Sequence, residues 1–117
     1  MSHAPTPKAT RSKAAALSVD ASLKADLKNM ATTQETWITD HVTTMGLAVK
    51  ATKPGGTAKV GPYRFHASPG NVIAVKVGND GYCISGYNKT ATKATSAKKS
   101  LLYKSAKGGI QTRLGVC

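Results

Sequence analysis

The side chains with the most chemistry to offer are Cys83, in GYCISGYN, and Cys117, which follows TRLGV. They stand 34 positions apart, form no C-x-x-C redox pair, and have no histidine at zinc-ligand spacing. Two states remain open: a pair of separate thiols, or a disulfide. A bond closing a loop of this length stabilises by about 3 to 4 kcal/mol in the chain-entropy model. It would also hold a C-terminus that otherwise frays. Because an exposed terminal thiol is reactive, the Cys83–Cys117 bond is the favoured expectation, in a protein that matures in an oxidising compartment.

The remaining candidates for catalysis or ligation are scattered. His3, His41 and His66 have no Cys, Asp or Glu at metal spacing, so no zinc site is expected. Asp20, Asp26 and Asp40 read as helix-surface groups and Asp80 as a turn residue, which leaves no general acid–base pair. There is no G-x-S-x-G elbow. Gly55-Gly56 and Gly108-Gly109 lack the strand and Lys-Ser/Thr context of a phosphate cradle. Neither an enzyme nor a cofactor is expected. Asn88-Lys89-Thr90 fits the short glycosylation pattern.

Charge is the stronger signal. The net charge is +12, and it is unevenly spread. Residues 1–40 carry five basic and four acidic side chains, whereas residues 41–117 carry twelve basic ones against Asp80 alone. Lys89, Lys93, Lys98 and Lys99 fall in one connection, Lys104 and Lys107 in and after a strand, and Arg113 near the end, with Tyr87 and Tyr103 close in sequence. On a mobile loop such lysines can neutralise phosphates without reading bases, and an exposed tyrosine can stack on one. DNA or an anionic surface polymer is therefore a candidate partner. The competing reading is a solvated or lattice-contact face.

These groups must be positioned by a small set of elements. Residues 11–40 contain no Pro or Gly and are rich in Ala, Leu, Lys and Met. Val19, Leu23, Leu27, Met30, Ala31, Gln34, Trp37 and Ile38 recur at three and four, predicting an amphipathic helix whose N-terminal end, RSKAAALS, extends past its cover. NVIAVKV and GYCISGYN flank GNDG as a hairpin, with a two-residue turn of positive φ at Asn79-Asp80 or Asp80-Gly81. Either register points Ile73, Val75, Val77, Tyr82 and Ile84 at the helix and Cys83 away from it. KVGPYRF reads as a short edge strand because of Pro62, KTATKATSAKK as a loop, and SLLY and IQTRL as a third and fourth strand. The expected fold is α+β: a long N-terminal amphipathic helix packed on an antiparallel sheet of three to four strands. No stretch reaches the roughly 20 apolar residues of a membrane span. Residues 1–10, MSHAPTPKAT, read as a disordered or engineered leader, and residues 11–117 as one domain.

At this point the sequence resembles type IV pilins and pilin-like proteins, particularly those of Gram-positive actinobacteria. RSKAAALSVDASLKADLKNMATTQETWITDH (11–41) looks like their lower helix, and KADLKNMATTQETW (24–37) matches the pattern xSDLxNxATAxExY. GYCISGYN (81–88) is similar to their GYCI strand, and LYKSAKGG (102–109) to the S-x-x-GG ending of their last strands. The resemblance covers about residues 11–112. It implies a pilin-like fold with a sheet of about four strands and, commonly, a disulfide tethering the C-terminal region. It also implies a subunit of a cell-surface filament serving adhesion, motility or DNA uptake, with other pilin subunits as partners and a membrane anchor only in the precursor. This sequence lacks the prepilin-peptidase site, the Phe start, the Glu at the fifth position and the apolar half-helix. The expectation is that pilin-like sequence begins near Arg11.

Overall fold

The computed structural model describes residues 8–117, and side chains from Lys13 onward; His3 and most of the expected leader, residues 1–10, lie outside the described residues. The order of elements is α1 (Lys8–Asp40), β1 (Thr57–Val60), β2 (Tyr63–His66), β3 (Val72–Val77), β4 (Tyr82–Tyr87), β5 (Leu101–Lys104), a short 3-10 turn (Ser105–Lys107) and β6 (Gly109–Ile110). β3-β4-β5-β6 form one antiparallel sheet and β1-β2 a second. The fold is α+β, as the residue pattern leads one to expect.

α1 is 33 residues, about 50 Å of helix at 1.5 Å per residue. Its predicted stripe is the core: Leu23, Leu27, Met30, Ala31 and Gln34 are buried, with Val19, Trp37 and Ile38 packed at the margin. They meet the inner face of the large sheet, where Ile73, Val75, Tyr82 and Ile84 project. Gly86 makes this approach close. A Cβ there would stand 2.6 Å from Leu27 Cδ1 and 2.9 Å from Ile73 Cδ1. The second hairpin covers the lower end of the helix, where Trp37 lies under the β1–β2 turn so closely that a Cβ on Gly61 would run into its indole. Gly61 has φ +60°, the glycine position that opens a tight hairpin turn, and Pro62 follows it. Trp37 also stacks on His41, centroids 3.5 Å apart, while His41 Nδ1 donates to the Trp37 carbonyl at 2.9 Å. Above Val19 the helix is uncovered: Lys13, Ala14, Ala15, Leu17 and Ser18 are exposed.

The helix also holds its surroundings through polar groups. Gln34 is fully buried and acts as a backbone mimic, its Oε1 accepting from Leu47 N at 2.7 Å and its Nε2 donating to Leu47 O at 2.8 Å. Asp26, expected on the surface, is 3% exposed. Its carboxylate accepts from Ser68 N (2.7 Å), Ser68 Oγ (2.8 Å) and Asn71 Nδ2 (2.8 Å), which is what makes burying a charge tolerable. Glu35 Oε2 accepts from the Tyr82 hydroxyl at 2.7 Å.

Four local expectations need correction. KVGPYRF is not one edge strand but two paired strands with Pro62 in the turn, where a missing N–H costs nothing. The β3–β4 register, Val77 opposite Tyr82, puts Asn79-Asp80 at the tip, yet neither residue has positive φ; Gly81, at φ +155°, takes the unusual backbone angle. Val77 has the right parity but ends its strand, and is 39% exposed. The fourth strand is only Gly109–Ile110, continued by an isolated bridge from Ser100 to Gly115 rather than by a full IQTRL strand.

Two measurements test this packing. Leu27→Ala, opening a void under Gly86, is expected to cost about 2 to 5 kcal/mol in urea unfolding. For Tyr82, burial first and the Glu35 carboxylate second push the hydroxyl's pKa well above its usual value. The folded chain therefore keeps this proton above the pH, about 10, at which the unfolded chain loses it. This contribution is constant below about pH 10 and is lost as pH rises further, so Tyr82→Phe is expected to flatten the alkaline fall in unfolding midpoint relative to wild type.

Candidate functional site

Strand alternation and register together build the outer face of the large sheet. Ile84 and Tyr82 point at the helix, so Cys83 between them points away. Lys76 lies directly opposite Cys83 on β3, and Lys104 directly opposite it on β5. The three form a row across the sheet with the cysteine in the middle. Leu102, opposite Ser85, shares this face and is 5% exposed.

The tail closes over the face. Gln111 N bonds Leu102 O at 2.9 Å, and Gly115 exchanges both backbone hydrogen bonds with Ser100 at 3.0 and 2.9 Å. Leu114 turns toward Leu23 and Leu101 in a small cleft beside the helix. The chain then crosses to Cys83, where Cys117 forms a disulfide with it, Cα atoms 5.6 Å apart. The bond favoured by the sequence is present, and neither cysteine is free.

Two clefts flank this tail. One, about 370 Å³, is lined by Lys76, Lys104 and Lys107 with both cysteines and Asp80. The other, about 330 Å³, is lined by Lys104, Lys107 and Arg113 together with Leu102 and Gly115. Lys104 and Lys107 belong to both. Of the seven cations singled out from the sequence, the structure thus brings together Lys104, Lys107 and Arg113, and adds Lys76. Lys76 was legible in principle, because either hairpin register already placed it on Cys83's face.

Lys89 and Lys93 do not join them, while Lys98 and Lys99 lie just before Ser100, which is bridged to Gly115 in the tail. All four are exposed, but Lys93 borders a cleft with Asp20 and Lys24, and Lys89 borders another with Pro54, Pro69 and Tyr87. Their loop is also pinned rather than mobile. Asp20 accepts from Thr92 N at 3.0 Å and from the Thr92 hydroxyl, Asn88 N bonds Ala94 O, and Ala94 is buried. Tyr103 faces the helix and stacks on Tyr82 at 6.3 Å, so it is not a free stacking platform. Asn88 is 4% exposed and its amide nitrogen donates to Asn71 Oδ1 and Pro69 O, which spends the sequon's asparagine on folding. Among the described residues no three His, Cys, Asp or Glu side chains come together as a metal site, and no helix is long and apolar enough to cross a membrane.

No family model, curated protein or solved structure matches the chain.

The disulfide's contribution is measurable. Breaking it with a dithiol, or by Cys83→Ala with Cys117→Ala, is expected to lower stability by about 3 to 4 kcal/mol. Limited proteolysis should then cut first within residues 111–117; a tail that stays protected after reduction would show that hydrogen bonding to Ser100 and Leu102 suffices without the bond.

Proposed function

We propose that residues 11–117 are the globular domain of a type IV pilin-like subunit, displayed at the cell surface and assembled with copies of itself into a filament used for adhesion, motility or DNA uptake. The observation that carries this reading is α1 itself. Its apolar stripe is satisfied from Val19 to Ile38, yet the helix runs on toward its N-terminus with Leu17 53% exposed and Ala14 and Ala15 beside it in solvent. A helix of ordinary propensity that outruns its own domain gains its remaining burial from a neighbour. Helix-to-helix stacking between subunits would supply it.

The rest of the domain suits that role. The surface built on the sheet is closed by a covalent tether, which keeps a C-terminal tail folded outside the reducing cell interior. The alternative, a DNA- or polyanion-binding module acting through residues 89–99, has weaker support, because Lys89 and Lys93 border separate clefts.

Antibodies raised against the domain should decorate filaments sheared from cells that carry the gene, along their length; a signal confined to monomer in the medium or to the cytoplasm would refute the reading. Leu17→Glu supplies a second arm. At so exposed a position it should leave the domain's unfolding within about 0.5 kcal/mol of wild type while lowering filament yield severalfold.

A further inference from the structure

We infer that the Cys83–Cys117 bond is an exchange site for a small anionic thiol, which attacks at Cys117 and leaves Cys83 as a free thiolate. The inference is independent of filament assembly. Lys76 and Lys104 are the direct cross-strand neighbours of Cys83, so their side chains start about 5 Å from its Cβ on the same face of the sheet. Both cysteines, Lys76, Lys104 and Lys107 line one cleft of about 370 Å³, with Asp80 its one acidic side chain. That volume lies in the range of small-molecule sites. Neither cysteine is buried and both border the cleft, so the bond is reachable from solvent.

Charge and tether decide the direction of exchange. A thiolate attacks one sulfur of a disulfide and expels the other, and expulsion is faster where the leaving sulfur holds its negative charge more easily. A cluster of ammonium groups supplies that help, and it also draws an anionic attacker into the cleft. While the bond is closed, both sulfurs share these cations. Once it opens they part. Cys83 stays in mid-strand between Lys76 and Lys104, whereas only Val116, 62% exposed, separates Cys117 from the backbone bridge of Gly115 to Ser100. Cys117 can therefore swing out with its new partner while the sheet remains as it was. In this step a bond forms between the attacking sulfur and Cys117 Sγ, the Sγ–Sγ bond breaks, and its electron pair goes to Cys83. The attacking sulfur is oxidised to the level of a disulfide and Cys83 is reduced to a thiolate, so a thiol is the one co-reactant needed. Because the Gly115–Ser100 bridge keeps Cys117 near, Cys83 can attack the mixed disulfide in return and restore the original bond. A bond placed for strength alone belongs in a dry, uncharged setting, where attack and departure are both slow.

The test follows opening of the bond in the folded chain by three thiols of similar size, 2-mercaptoethanesulfonate, 2-mercaptoethanol and 2-aminoethanethiol, with rates expressed per thiolate. The outer-face variant combines Lys76→Gln, Lys104→Gln and Lys107→Gln. A charge-matched control combines Lys50→Gln, Lys53→Gln and Lys59→Gln, three lysines around a cleft elsewhere. Relative to wild type, the outer-face variant is expected to slow the sulfonate thiol about fivefold and the neutral thiol about twofold, and to leave the cationic thiol about unchanged. The control should stay within about 1.5-fold of wild type with all three. Should the outer-face triple fail to unfold cooperatively, Lys76→Gln alone, at an exposed strand position, is expected to slow the sulfonate thiol about twofold. Quenching with an alkylating agent and mapping by mass spectrometry should place the sulfonate adduct on Cys117 and the alkyl group on Cys83. An adduct on Cys83, equal slowing in the control, or the same slowing whatever the charge of the thiol would each overturn the inference. So would a rate that does not rise with thiol concentration, because only the unfolded chain would then be reacting.

Discussion

The seating of one helical stripe on the inner face of a small sheet is the contact from which the rest of this structure follows. Leu23, Leu27 and Met30 are all essentially inaccessible, and each buried side chain of this kind contributes roughly 2 kcal/mol in transfer terms. With one Trp and one Phe in the whole chain, little else could supply a core. The contact depends on Gly86, whose missing side chain lets Leu27 and Ile73 meet across β4. Everything on the opposite face inherits its position from that seating. A strand that must point Tyr82 and Ile84 inward must point Cys83 outward.

Polar groups on the same helix then distribute the chain's charge. Asp20, Asp26, Glu35 and Asp40 each accept a hydrogen bond from a neutral donor in another segment: Thr92, Ser68 with Asn71, Tyr82 and Tyr63 respectively. Four of the chain's five carboxylates are thus engaged in fastening loops and strands to the helix. The cations that follow in sequence face solvent with only Asp80 of their own stretch to offset them. The positive field follows from the composition of residues 41–117, whose lysines and arginines are mostly exposed.

Much of this was legible in the residues, and the boundary of legibility is physical. Helix stripe and the inward and outward faces of the hairpin follow from periodicity and parity, which depend on near neighbours in sequence. The burial of Asp26 did not follow, because nothing local marks it: its donors, Ser68 and Asn71, lie 42 and 45 positions away in a loop whose shape is set by that same contact. The β1–β2 hairpin was hidden because Pro62 suggests an edge strand and equally fits the turn that a glycine at φ +60° makes possible. For the basic groups, sequence proximity grouped Lys89 and Lys93 with Lys104 and Lys107, whereas the fold puts Lys89 and Lys93 at other clefts and brings in Lys76 from a different strand.

The two ends of the described chain leave the body at different places, and the path of the C-terminal one explains why a cysteine stands in mid-strand. The N-terminal part of α1 leaves the body with exposed apolar residues, Leu17 among them. The C-terminal tail leaves a short edge strand of two residues, which by itself holds little. Two backbone bonds to Ser100 and one to Leu102 bring it back along β5, but hydrogen bonds at a sheet edge compete with water and open readily. Only a contact in the middle of the sheet fixes where the last residues lie, and β4 is one of the two interior strands, with Cys83, Ser85 and Tyr87 at its outward positions. Cys83 is the one of these flanked by lysines on both neighbouring strands. The covalent tether thus does more than resist unfolding: it closes the chain beside the row of cations and gives that row a fixed wall.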